Sequence, residues 1–327
     1  MKELQIHRPA IFEGSLTTPC VRISCFLPTR VESTAVSDAM SRYFSLIPED
    51  VGLQRILVDE VEGEPSEADV RFEELSPTFL EDLSAEYDEA FSRTDGSEHV
   101  VRFAPPNDLE PTGFSAMSFF AMPPDPVFRN WRNLLSFELE LLFARSRIED
   151  IYRFVTDIAS AFPGCCLTAA AALNFPAGLD QLLMSDINAR LFRFIALDAN
   201  YHATHYSVGD RVPFAAWLTY LNQSQIERIG GLPNISGALT NESLAVLGSG
   251  ALLRAARLPP IGDVNRGAPD IGWLPRFDRL LADVICKDPE TFRRFPSEDA
   301  GRWFDRFIDR DDGEWENADL VPYGKSD

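Results

Sequence analysis

Long hydrophobic runs are missing from this sequence: no stretch offers about 18 uninterrupted apolar residues, the length a membrane-crossing helix needs. The opening MKELQIHRPAIFEGS also lacks the apolar core of a secretory leader, so the sequence predicts a cytoplasmic protein without a membrane span. Cysteine is sparse and unpatterned. Cys20, Cys25, Cys165, Cys166 and Cys286 form an odd set of five with no CxxC pair, which gives neither a zinc-site spacing nor a disulfide framework. Cys165 and Cys166 open the apolar run CCLTAAAAL, where small buried side chains are expected. Histidine is as scarce, and His202 and His205 have no third ligand nearby, so turn positions are expected for them rather than a metal site. No cofactor and no metal is expected.

Positive charge is also in short supply. Thirty Lys and Arg face 51 Asp and Glu, for a net charge of -21 and a pI near 4.6. Such a field repels nucleic acid and anionic membrane surfaces and draws basic partners inward, so direct nucleic acid binding is not expected. Signatures of phosphate-binding and hydrolytic folds are absent. Neither GxGxxG nor GxxxxGK[ST] occurs, the glycines of GSGALLRA have no lysine behind them, and no GxSxG is present.

What remains is a chain of 327 residues, 45% hydrophobic, long enough for one large core or two ordinary ones. VRISCFLP at 21–28 alternates like a strand, SDAMSRYFSLI has helical spacing, and GLQRILVDEV returns to strand character. The same order recurs at 134–173, with LLSFELELLFA as strand, IEDIYRFVTDIASAF as amphipathic helix and CCLTAAAAL as strand. HVVRFAP and FSAMSFFAMPP read as further strands, and LDQLLMSDINARLF as a helix. These patterns predict an α+β fold of mixed, largely antiparallel sheets with packed helices, including two related β-α-β-containing halves. They divide the chain into an N-terminal α+β region at 1–130, a C-terminal α+β region at 131–287 and an acidic tail at 288–327, or else one compact domain overall.

Function concentrates in two places. Residues 59–91 hold 13 Asp or Glu against one Arg. Within them, Phe79, Leu80, Leu83, Tyr87 and Phe91 make one apolar helix face and leave Glu81, Asp82, Glu86, Asp88 and Glu89 mostly solvated. Such a segment is either an exposed acidic helix and loop or a polyanion-like surface for a basic protein. The second place is LPPIGDVNRGAP at 258–269. Asp263 and Arg266 there suit either a small-anion site or a turn in which Asp263 and Asn265 bond their own backbone.

From residue 213 the punctuation is dense. WLTYL reads as a buried strand, Asn222 or Ser224 caps the helix QSQIERI, Gly230 and Gly231 end it, SLAVLGSGALLRAARLPP forms a hairpin, and LPRFDRLLADVI closes the unit as a helix. This succession resembles the type VI immunity family that includes the TsiV group. The resemblance rests on Trp217, Leu218, Leu221, Gly230, Gly231, Gly250, Leu252, Ala255, Pro259, Gly262, Asp263, Asn265 and Arg266, with Leu258 where the family often has glycine. It implies an antitoxin rather than an enzyme, a cytoplasmic protein that binds and neutralises a cognate type VI secretion effector, similar to nucleases of the VRR-Nuc kind. Under that reading Trp217, Gly230, Gly231, Gly262, Asp263, Asn265 and Arg266 hold the fold. Asp59, Glu60, Glu62, Glu64, Glu67, Asp69, Glu73 and Glu74 would then meet the basic face of the toxin. The competing expectations are an effector-loading adaptor or chaperone, and an enzyme acting on a small anionic ligand through residues 261–267.

Overall fold

The computed structural model describes residues 17–27, 31–59, 69–92, 98–105, 113–121, 132–174, 180–198, 208–267, 269–287 and 297–315. Strand β1 (Thr18–Leu27) is buried along its whole length. Helix α1 (Ser33–Leu46) follows, then the hairpin strands β2 (Gln54–Asp59) and β3 (Asp69–Glu73), helix α2 (Phe79–Ser92), and strands β4 (Glu98–Ala104) and β5 (Ser115–Ala121). The second half runs β6 (Asn133–Glu140), α3 (Leu141–Ser146), α4 (Ile148–Ala161), β7 (Cys166–Asn174) and α5 (Asp180–Arg193). It continues with β8 (Leu218–Leu221), α6 (Gln223–Arg228), α7 (Gly231–Ala238), β9 (Leu244–Leu247), β10 (Gly250–Arg254), α8 (Leu274–Leu280) and α9 (Ser297–Phe304).

Among the described residues, ten strands join one sheet in the order β3-β2-β4-β5-β6-β1-β7-β8-β10-β9, and every neighbouring pair is antiparallel. The fold is therefore α+β, as the patterns predict. The two strand-helix-strand segments are placed differently in it. β6 and β7 flank β1, whereas β1 and β2 stand four positions apart.

Strand alternation sends Val21, Ile23, Cys25 and Leu27 into one cluster with Val36 and Met40 of α1, Leu83 and Tyr87 of α2, and Ile151 and Val155 of α4. Phe26 points the other way and packs with Met117, Phe119 and Leu134, in a cluster that takes in Ile226 of α6, Ile235 of α7 and Phe277 of α8. Arg22 shares the Phe26 parity and is buried, so its charge needs a partner. Glu138 stands directly opposite it on β6; Nε of Arg22 donates to Oε1 at 2.7 Å, and Ser115 donates to Oε2 at 2.7 Å.

The structure departs from the sequence pattern at two boundaries. LLSFELELLFA does not stay a strand to its end, because the carboxylate of Glu140 accepts the Phe143 amide at 2.7 Å and caps α3. Gly230 ends α6 with φ of 91°, but Gly231 opens α7 instead of a loop. The tail region contributes to the core through α9, where Trp303 and Phe304 are buried. Among the described residues, no helix is long and apolar enough to cross a membrane.

Candidate functional site

The 258–269 loop is anchored through Asp263 and the backbone of its neighbours. Oδ1 of Asp263 accepts Nε of Arg193 at 3.0 Å and Oδ2 accepts Nη2 at 2.9 Å, a bidentate pair with the last residue of α5. The same Oδ1 accepts the Asn265 amide at 3.1 Å, which caps a single 3-10 turn at Val264–Arg266. Ile195 donates to the Gly262 carbonyl at 3.1 Å and Ala196 to that of Ile261 at 3.0 Å. Gly262 has φ of 73°, and a Cβ there would sit 2.8 Å from Ile271 Cγ2 and 2.9 Å from Ile195 Cγ1. Asn265 is exposed, and the side chain of Arg266 lies outside the described residues.

The other motif residues stitch the same region. Trp217 is buried just before β8, its indole N–H donates to the Ala256 carbonyl at 2.8 Å, and its own carbonyl accepts Ala255 at 2.8 Å. Asn222 caps α6 through a reciprocal pair with Gln225. Gly250 faces Tyr220 so closely that a Cβ would overlap the phenol.

Two cavities lie elsewhere. One of about 150 Å³ is lined by Phe26, Arg132, Cys166, Asp210 and Asn222 among others. A shallow groove of about 280 Å³ runs between α1 and α4. Its cations are already paired, Arg42 with Asp157 at 2.7 Å, and Arg147 and Arg153 with Asp150 at 2.6 and 3.4 Å. Asp150 is held below its ordinary pKa by its hydrogen bond to Arg147. Neither cavity is lined by Asp263. Among the described residues, no group of three or more His, Cys, Asp and Glu is disposed to hold a metal; His202 and His205 lie outside those residues.

The acidic segment sits at one end of the sheet. β3 is the edge strand, and Asp59 stands opposite Asp69 in the β2-β3 register. Like charges directly opposed weaken a strand pair, so this placement costs the hairpin stability. Glu73 pairs with Arg55 across the same hairpin, and both Glu73 and Glu74 are exposed. Glu60, Glu62, Glu64 and Glu67 lie outside the described residues. α2 follows with Glu81, Asp82, Asp88 and Glu89 exposed. Glu86 differs from the solvated position its helical spacing predicts: it turns to the sheet and binds Arg55 at 2.6 Å and His99 at 3.3 Å. Arg55 on β2 was the one signal for it, a base facing a run of acids.

Three comparisons with known proteins bear on this arrangement. The family model described as type VI immunity for VRR-NUC, TsiV, matches residues 72–307. Among curated proteins nothing matches. Among solved structures, the Pseudomonas aeruginosa T6SS protein PA0821 matches with a TM-score of 0.66 at 14% identity, covering 94% of this chain and 90% of that one. At that identity the likeness is one of fold.

Proposed function

The chain belongs to the type VI immunity family for VRR-NUC, and from that membership we propose that it neutralises a cognate type VI effector, a basic nuclease, by covering its substrate-binding face. The protein acts by binding, without catalysis and without a cofactor, in the cytoplasm of the cell that makes the effector. Direct nucleic acid binding has no part in it. The observation that carries this reading is the family match over 72–307, which spans α2 and strands β4 to β10.

The acidic end of the sheet supplies the contact. Asp59, Glu60, Glu62, Glu64, Glu67, Asp69, Glu73 and Glu74 meet the cations with which a nuclease holds DNA phosphates, and complementary fields speed the encounter. The 59–71 part precedes the family match, whereas Glu73, Glu74 and α2 fall within it. Family-wide attraction then belongs to the latter, and discrimination between effectors to the former. Trp217, Gly230, Gly231, Gly262, Asp263, Asn265 and Arg266 serve the fold, and the regions 1–130, 131–287 and 288–327 act as one binding body.

The test is co-expression with the cognate effector, copurification and a plasmid-cleavage assay, followed by association kinetics of a variant with the eight acids changed to Lys. Expected are a complex that does not cut DNA, and a variant that associates at least about tenfold more slowly with a weaker salt dependence. A complex that still cuts DNA overturns neutralisation. A variant that associates at the wild-type rate removes the acidic edge from the interface.

A further inference from the structure

The two ends of the sheet are built differently. At one end β3 carries Asp69, Arg71 and Glu73, the kind of charged edge that resists pairing with another chain. At the other end β9 reads LAVL, without a charge or a proline. β9 and β10 are joined by the two-residue turn Gly248-Ser249, with Leu247 opposite Gly250. In such a hairpin the residues flanking the turn form a hydrogen-bonded pair, so Leu247 and Ala245 direct their backbone groups to β10. Arg254 donates to the Ser243 carbonyl at 2.9 Å with the same parity. Leu244 and Val246 therefore turn their backbone N–H and C=O groups away from the sheet. Val246 is 55% exposed, the highest value for a large hydrophobic side chain among the described residues.

We propose that β9 is a self-association edge, onto which a second copy of this chain adds its own β9 antiparallel about a two-fold axis. The parity of the outward groups limits the register, and engaging both outward residues of each strand puts Leu244 opposite the second copy's Val246 and Ala245 opposite its equivalent. Two observations, both of charge, favour a second copy over a basic effector at this edge. First, nine strand spacings of about 4.8 Å put β3 roughly 43 Å from β9, several Debye lengths away, so the acidic ends of two copies do not repel across the junction. A basic effector is drawn to the opposite end, and both acidic edges of the pair stay open to it. Second, the neighbouring helix α4 carries exposed charge of both signs, with Glu149 68% and Arg153 72% exposed. Pairing therefore brings no block of like charge together.

A two-fold contact of this kind closes at two copies. Four residues per strand make it short, so the association is reversible and follows concentration.

Sedimentation equilibrium of the full chain, without effector, tests the proposal from low micromolar to several hundred micromolar. The wild-type mass is expected to rise from 36.6 kDa toward twice that value. Val246→Lys and Val246→Pro are expected to remain at the single-chain mass throughout. Proline removes only an outward N–H and keeps the bonds to β10; if it unfolds the chain, the lysine variant carries the comparison. A wild type that stays at 36.6 kDa, or a doubling that Val246→Lys retains, overturns the proposal. A monomeric wild type whose Val246→Lys variant loses effector binding overturns it too, and assigns the edge to the effector. Lysine at Glu73 and Glu74 leaves the mass unchanged, which keeps this test separate from that of neutralisation.

Discussion

Asp263 meets the fork of the Arg193 guanidinium with both oxygens, 3.0 and 2.9 Å from Nε and Nη2, across 70 residues of sequence. A carboxylate engaged twice by a cation and once by a turn amide has most of its acceptor capacity already committed to the fold. Asp263→Ala is expected to cost about 2 kcal/mol. Arg193 is 36% exposed, so the loss stays below that of a fully buried pair. Urea unfolding gives the number, and plasmid protection below the melting point should survive. A folded variant that no longer protects would return this loop to the list of sites.

Gly262 is expected to be harder to replace than its loop position suggests. Alanine there adds a left-handed backbone penalty to a clash with Ile271 and Ile195, roughly 2 to 4 kcal/mol together. Gly52, in the left-handed region with open space around its Cβ, is the control, with a loss of about 1 kcal/mol. Equal midpoint shifts for the two variants would contradict the packing argument.

Arg22 and Glu138 form a pair whose removal is expected to be strongly non-additive. Arg22→Met deprives the buried carboxylates of Glu138 and Asp198 of their shared cation and costs about 3 to 5 kcal/mol, whereas the double variant with Glu138→Leu costs less, because only Asp198 then lacks it. A double-mutant cycle in urea measures the coupling, and additive losses would show that the two side chains do not depend on each other.

Glu140 gives a pH-dependent term. Burial raises its pKa, against the opposing bonds from Phe143 and Leu142. A carboxyl with a raised folded pKa contributes stability at low pH that is lost as pH climbs through that value. Glutamine keeps an oxygen for the Phe143 amide and carries no charge. Glu140→Gln is therefore expected to gain on the wild type as pH rises from about 4 to about 7, read as the difference in melting temperature. Glu140→Ala loses the cap as well and lies about 1 kcal/mol below Glu140→Gln at either pH.

The sequence revealed those elements whose signal is local. The helix at 148–161 and the strand at 166–174 follow from apolar spacing alone, and the Asn222 cap from its position ahead of QSQIERI. α3 was not legible because LLFARS suits either state, and Glu140 decides between them only once β6 is in place. α7 was hidden behind two glycines that read as a stop. At the site, the density of acid was plain, because charge is read residue by residue. Its location on an edge strand was not, since strand order is a property of the whole sheet. Nor does any spacing announce that Arg193 awaits Asp263, or that Arg55 draws Glu86 out of solvent.

The placement of β1 bears on how the protein is made. β1 leaves the ribosome long before either of its neighbours, since Cys20 pairs with Glu140 on one side and with Ala172 on the other. At about 5 to 20 residues per second, the sheet stays open at its centre for roughly 6 to 30 seconds of synthesis. Throughout that interval TPCVRISCFL is an apolar strand without a partner, the part of the nascent chain most in need of a chaperone. The centre of the sheet then closes only once Cys166–Asn174 has been made, and a chain truncated before β7 leaves one side of β1 unpaired.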